Sequence, residues 1–140
     1  MKTYKVIVDS EGTIRWYNQQ DQLSNEHGPA IECANGTKRW YLNGERHRED
    51  GPAIKWADGS KSWYRNGERH REDGPAIEWT DGYKVWYLNG KRHREDGPAS
   101  EYADGSKYWY LNDECLTEQQ FLEQTSSKTS CEGKVVEIDG

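Results

Sequence analysis

Three histidines stand first among the residues that could do chemistry. His47, His70 and His93 are each followed by Arg, Glu and Asp, so an imidazole lies within a few residues of two carboxylates and a guanidinium. Imidazole beside carboxylate is a pairing used in general acid–base catalysis. The same run, His-Arg-Glu-Asp-Gly-Pro-Ala, however, occurs three times, at 47–53, 70–76 and 93–99. A catalytic site is one asymmetric constellation, and three copies of it call for a structural explanation. That explanation has His closing on Trp, Arg and Glu pairing along an array, and Asp preparing the turn before Gly-Pro. A ladder of metal sites fits poorly, because one His with carboxylates two and three residues later lacks zinc-ligand spacing. No catalytic residue and no metal ligand is assigned.

The other reactive side chains offer no constellation either. Cys33 occupies the slot filled elsewhere by Trp56, Trp79 and Tyr102, a core substitution at an end unit. Cys115 and Cys131 have no histidine nearby in sequence. Three cysteines without a CxxC read as reduced thiols of a cytoplasmic protein. The 14 glycines belong to turns, with no phosphate-cradling loop and no sign of a cofactor. The Trp-Tyr pairs could stack bases, but a Glu-Asp in every copy works against the basic groove that nucleic acid needs.

What positions all of these residues is a repeat. Residues 36–58, 59–81 and 82–104 are three copies of one 23-residue unit, a truncated copy starts at Gly105, and a degenerate one precedes the first. Such a period signals a quasi-one-dimensional array. It divides the chain into an N-terminal cap with a degenerate repeat (1–27), tandem repeats (28–113) and a C-terminal cap (114–140), all within one domain. Low aliphatic content is tolerable in an array, and seven Trp and nine Tyr supply buried area instead. The net charge of −6 disfavours nucleic acid and anionic membranes. Met1 is followed by no apolar signal-like run, and no stretch is long and apolar enough to span a membrane.

Each unit carries two turn dipeptides. Asp58-Gly59 and Asn66-Gly67, with their equivalents, both read as type I′ hairpin turns. The intervening residues form short strands, and Glu-Asp-Gly-Pro makes an irregular corner, because proline cannot donate to a central ladder. The expected fold is mainly β, an elongated antiparallel meander with two to three strands per unit. A two-residue turn at Asp58-Gly59 sets Ile54 opposite Trp63 and Ala53 opposite Tyr64. It would then gather Ile54, Trp56, Trp63 and His70 on a core face, leaving Ala53, Lys55, Ser62, Tyr64 and Arg69 on a wetter, more variable one. At the N-terminus, residues 4–8 and Ile14, Trp16 and Tyr17 form the first two strands. At the C-terminus, Thr117 and Gln120 form a capping box for a short helix burying Phe121 and Leu122. A polar linker (126–130) and a last strand through Val135, Val136 and Ile138 complete the cap over the open sheet edge.

The succession Asp-Gly-Ser-Lys, Asn-Gly-x-Arg-His, Asp-Gly and aromatic-x-Asp-Gly resembles the MORN repeat, and the Trp-Tyr-x-Asn-Gly core is closer to its variant form. The resemblance covers about residues 12–112. The His-Arg-Glu-Asp-Gly-Pro-Ala run departs from the standard pattern by adding residues at the corner and removing two from the preceding strand. Similar arrays look like those of small bacteriophage and bacterial proteins. The resemblance implies a protein–protein or scaffold role, brings no catalytic residues, and implies no lipid binding here given the acidic balance.

Two functions follow as expectations. One is a protein-binding module presenting Tyr41, Tyr64, Tyr87 and Tyr110 with Arg46, Arg69 and Arg92, since Tyr and Arg dominate interface energetics. If the phage-like resemblance holds, its partner is a host protein such as a defence component. The other is a small-ligand sponge, trapping nucleotides in equivalent pockets between units. A self-assembling structural subunit is a third.

Overall fold

The unit resolves into a main-sheet hairpin and a corner hairpin that meet at its tryptophan. The computed structural model describes residues 3–133, with side chains to residue 126. Among these residues, eleven strands form one antiparallel sheet in chain order. It begins with Lys5–Val8 and Ile14–Tyr17 and continues through the two-residue strands Ile31–Glu32, Lys38–Arg39, Ile54–Lys55, Lys61–Ser62, Ile77–Glu78, Lys84–Val85 and Ser100–Glu101. It ends with Lys107–Leu111 and Glu114–Leu116. Three small hairpins stand beside it: Tyr41–Leu42 with Glu45–Arg46, Tyr64–Arg65 with Glu68–Arg69, and Tyr87–Leu88 with Lys91–Arg92. The expected meander of β-hairpin repeats is the fold, but each full unit has four short strands where two to three were expected, because the tryptophan splits one strand into two.

The tryptophan backbone makes the change of direction. Trp63 N–H donates to Ala76 O at 2.7 Å, inside the main sheet, while Trp63 O accepts from His70 N–H at 3.1 Å, inside the corner hairpin. Trp40 and Trp86 repeat both bonds. Trp109 is followed by no such histidine, and there the strand Lys107–Leu111 runs straight through and pairs Trp109 with Leu116. Successive corner hairpins are also tied to one another. Gly67 N–H donates to Arg46 O at 2.9 Å, and Arg48 N–H donates to Tyr64 O at 3.2 Å.

The two turn dipeptides differ, and this corrects the expected register. At Asn66-Gly67 both residues have positive φ, 50° and 85°, and Arg65 pairs with Glu68, so the loop is the two-residue type I′ turn. At Asp58-Gly59 only the glycine does, with φ 97°. There Gly59 N–H returns to Trp56 O at 3.0 Å, Trp56 N–H bonds Ser60 O at 2.9 Å, and the Asp58 carboxylate accepts Ser60 N–H at 2.8 Å. The loop therefore holds three residues, and the aspartate's own side-chain turn stabilises it. One extra loop residue slips the pairing by one and exchanges the faces.

Ile54 accordingly opposes Ser62, not Trp63, and Lys55 opposes Lys61. One face carries the row Ile31, Arg39, Ile54, Ser62, Ile77, Val85, Ser100 and Tyr108. Its middle is the core: Val85 is 1% exposed, and Ser62, Ile54 and Ile77 are buried. Tyr64, expected on the wet face, packs with Ala53 and Ile54, while Trp40 and Trp56 cover the cluster from its rim. Trp79 and Tyr102, expected as core residues, are largely exposed. The opposite face alternates charge in its later half (Lys61, Glu78, Lys84, Glu101, Lys107) but sets Lys38, Lys55 and Lys61 side by side in its earlier half.

At the C-terminus the expected helix and its capping box form, with two differences from the expectation. The capping box forms, with Gln120 N–H donating to Thr117 Oγ1 at 3.0 Å and Thr117 N–H to Gln120 Oε1 at 2.9 Å. The helix Glu118–Gly133 packs on the last two strands through Phe121, whereas Leu122 is exposed. It continues through the residues read as a polar linker, which contain no Gly or Pro to stop it before Gly133. The strand predicted at Val135, Val136 and Ile138 lies outside the described residues.

Asp113 closes the array where the fourth copy loses its turn glycine. Its N–H donates to Arg92 O at 2.8 Å, as Gly67 and Gly90 do in their units. Its carboxylate accepts from Arg92 N–H at 3.0 Å and Arg92 Nε at 3.2 Å. The backbone bond first, then the guanidinium, holds this carboxyl below its ordinary range. A carboxyl with a depressed folded pKa adds stability above its unfolded pKa, about 4, and that contribution is lost as pH falls through the folded value. Thermal midpoints are expected to fall on acidification below about pH 4, with a shallower acid-side slope in Asp113→Asn; superimposable slopes would remove Asp113 from the account.

Candidate functional site

The histidine runs build three equivalent corners. His70 Nδ1 accepts the backbone N–H of Asn89, in the next unit, at 2.9 Å. A nitrogen that accepts carries no proton, so the proton is on Nε2, which faces Glu72 Oε2 at 3.2 Å. His47 and His93 do the same, toward Asn66 with Glu49 and toward Asn112 with Glu95. Each imidazole lone pair is thus occupied by the backbone amide of the turn asparagine in the following unit. The N-terminal unit reaches the same result with another residue: buried Ser24 stands in the histidine position, and its Oγ accepts Asn43 N–H at 3.0 Å. Sequence reading passed over Ser24, although counting 23 residues back from His47 would have found it.

The arginine after each histidine lies flat on the unit's tryptophan. Arg71 is 3.8 Å from the Trp63 ring centroid, Arg48 is 4.0 Å from Trp40, and Arg94 is 3.9 Å from Trp86. Such cation–π contacts contribute about 0.5–2 kcal/mol depending on desolvation. The guanidinium is held in place by its neighbours: Arg71 Nε donates to Asp73 at 3.0 Å and Nη1 to Pro75 O at 3.0 Å. A Cβ on Gly74 would stand 3.0 Å from Arg71 Cζ, which explains the glycine before each proline. Arg71 also reaches Glu78 at 2.9 Å, and Arg94 reaches Glu101 at 3.2 Å. These Arg–Glu pairs lie within units, where the sequence suggested pairing along the array. Position 55 breaks the rule, because Lys55 stands where the later units have Glu78 and Glu101.

The seven tyrosines and arginines expected at an interface are brought together in one row. Arg46 lies 6.0 Å from the Tyr41 ring and 5.4 Å from Tyr64, and Arg69 lies 5.7 Å from Tyr64 and 5.5 Å from Tyr87. Arg92 is 4.2 Å from the Tyr110 ring and donates to its hydroxyl at 3.1 Å. Burial first raises the Tyr110 pKa, so the phenol stays protonated at neutral pH. Exposure along the row is uneven. Tyr64 is 7% exposed, Arg69 is exposed, and Tyr41, Tyr87, Tyr110, Arg46 and Arg92 are half-buried.

Between successive corners open three similar clefts of about 610, 520 and 750 Å³. The middle one is lined by Trp63, Arg65, His70 and Arg71 together with the acidic pairs of two units, Glu49-Asp50 and Glu72-Asp73. With Arg48 also at its edge, four carboxylates against three guanidiniums make it a poor phosphate site. Among the described residues no group of His, Cys, Asp and Glu could hold a metal ion, and no helix is long and apolar enough to cross a membrane. No protein-family model matches the chain, and no curated protein matches it in sequence.

Two substitutions probe the corner. His70→Asn keeps an acceptor near the Nδ1 position, whereas His70→Gln places its polar group near Nε2 and leaves Asn89 N–H without a partner. Urea unfolding should find the Gln variant less stable than the Asn variant by about 1–3 kcal/mol; equal stabilities would mean that the inter-unit bond contributes little. Lys55→Glu recreates the Arg71–Glu78 pair at Arg48 and separates Lys38 from Lys61. It should stabilise the chain by about 0.5–1 kcal/mol, the range of partly exposed pairs, and a lower denaturation midpoint would contradict this.

Proposed function

We propose that this chain is a non-catalytic, MORN-like repeat protein that serves as a protein-binding module. The observation that carries this reading is the Tyr–Arg row, in which Arg46 and Arg69 each lie between two successive tyrosines and Arg92 lies over Tyr110. Side chains held in that way lose little freedom when a partner docks, and binding costs fall accordingly. The groups with catalytic potential point the same way, since each histidine lone pair is engaged by a backbone amide and each following arginine by a ring, an aspartate and a carbonyl. On the phage-like resemblance, the partner is a host protein, for example a defence component in a bacterial cytoplasm.

The test is affinity capture with the tagged chain, followed by a binding titration with the purified partner. Tyr41→Ala and Tyr87→Ala change half-buried members of the row and leave buried Tyr64 in place. The double variant should fold, as checked by near-ultraviolet circular dichroism, and bind at least tenfold more weakly. A folded double variant with undiminished affinity would overturn the assignment of the row.

The three similar clefts favour one second reading, a small-ligand sponge with equivalent sites between units. Their acidic lining argues against nucleotides. A thermal-shift panel with mono- and dinucleotides should therefore leave the melting temperature unchanged, and a concentration-dependent rise would favour the sponge.

A further inference from the structure

Two departures from the chain's own pattern in its later units leave aromatic rings in solvent. The slot just after the Asp-Gly or Asn-Gly turn is Thr37, Ser60, Tyr83 and Ser106 in successive units. In the first two units the hydroxyl supports the neighbouring turn: Ala57 N–H donates to Thr37 Oγ1 at 3.1 Å, and Thr80 N–H to Ser60 Oγ at 3.2 Å. Tyr83 has no hydroxyl on Cβ for that bond and supplies a ring instead. A second departure, Tyr108, stands where earlier units have Arg39, Ser62 and Val85.

The result is a chain of four rings. Trp79 and Tyr83 have centroids 5.1 Å apart, Tyr83 and Tyr102 4.7 Å, and Tyr102 and Tyr108 5.6 Å. Trp79, Tyr102 and Tyr108 remain 49%, 43% and 45% exposed. Trp79, Tyr83 and Tyr102, together with Asp81, Ala103 and Asp104, line a cleft of about 460 Å³. Backbone and side-chain hydrogen bonds from Ser106 hold the Asp104 carboxyl below its ordinary range, so it is charged at neutral pH.

The rest of the molecule indicates what such a cleft accepts. Trp40, Trp63 and Trp86 each carry a guanidinium on the ring, and Tyr41, Tyr64, Tyr87 and Tyr110 each have one within 6.0 Å. Among the described residues, no cation lies over any ring of the exposed cluster. Ring faces attract cations, and carboxylates at the rim add to that attraction. A planar guanidinium stacks on rings and pairs with a carboxylate at once, which a compact, strongly hydrated ammonium does less well.

We propose that this cleft, formed by Trp79, Tyr83 and Tyr102 between Asp81 and Asp104, receives an arginine side chain from a basic peptide segment of a partner protein. The proposal rests on the binding-module reading and adds a second contact surface to it, on residues separate from the Tyr–Arg row.

The test is calorimetric titration of the full chain with a nine-residue peptide of alternating arginine and glycine, and with its lysine counterpart. Tyr83→Ser and Tyr108→Ser install residues the chain already uses at Ser60 and Ser62, so both should fold, with thermal melts as the check. The arginine peptide should bind the natural chain, several-fold more tightly than the lysine peptide, and Tyr83→Ser should weaken it at least tenfold. Glu11→Gln with Glu114→Gln, which removes as much charge at exposed positions away from the cleft, should leave affinity within twofold. No binding by the natural chain, equal affinity in Tyr83→Ser, or an equal loss in the charge control would overturn the proposal. Capture that fails in the row variants but survives Tyr83→Ser would overturn the cleft alone and leave the module standing.

Discussion

The structure depends on what happens at one tryptophan per unit. Its amide belongs to the main sheet and its carbonyl to the corner hairpin, so the chain must turn at that residue, and the turn needs support on both sides. The following histidine closes the hairpin through its backbone and reaches the next unit through Nδ1. The arginine after it covers the indole face. Where the histidine is missing, at Trp109, the chain does not turn at all and the strand simply continues. The corner therefore goes with a residue in the histidine position that can accept the next unit's amide, His in three units and Ser24 in the first.

None of these contacts is strong alone. A neutral side-chain hydrogen bond contributes about 1 kcal/mol, and a stacked guanidinium about as much. Their effect comes from repetition and from reaching across units. Each Nδ1 bond spans 19 residues, and each hydrogen bond between corner hairpins joins neighbouring copies. In a quasi-one-dimensional array, nearest-neighbour terms of this kind convert marginal units into a cooperative structure. That explains how a chain with few aliphatic residues folds: Ala53, Ala76 and Ala99 are fully buried, one per unit, with no thick core required.

The division of labour between faces follows from the same frame. Residues that every unit needs are spent on corners, and freedom to vary is left to positions along the sheet rows. Lys55, Tyr83 and Tyr108 are such variations, and each changes local chemistry without touching the corner. The three adjacent lysines and the four adjacent rings are opposite in character, yet both arise from single-residue departures at repeated slots.

The repeat, the capping box and the shared environment of the three His-Arg-Glu-Asp runs were legible in the letters, because identical spacing imposes identical environments whatever the geometry, whereas the partners of each His and Arg were not. The Tyr–Arg row was also readable as a set of residues, though not its uneven burial. What the letters could not decide was the register. Asp-Gly and Asn-Gly look alike as turn signals, but Asp58 caps its own loop through its carboxylate and stays out of the left-handed region that Asn66 adopts. One loop residue more moved Ser62 and Tyr64 inward, put Trp63 at a corner, and set Trp79 beside Tyr83 and Tyr102 in one exposed row. Periodicity determines which residues are equivalent. Only the closed hydrogen-bond pattern determines which of them meet, because a pleated strand turns every side chain to the other face when its pairing shifts by one.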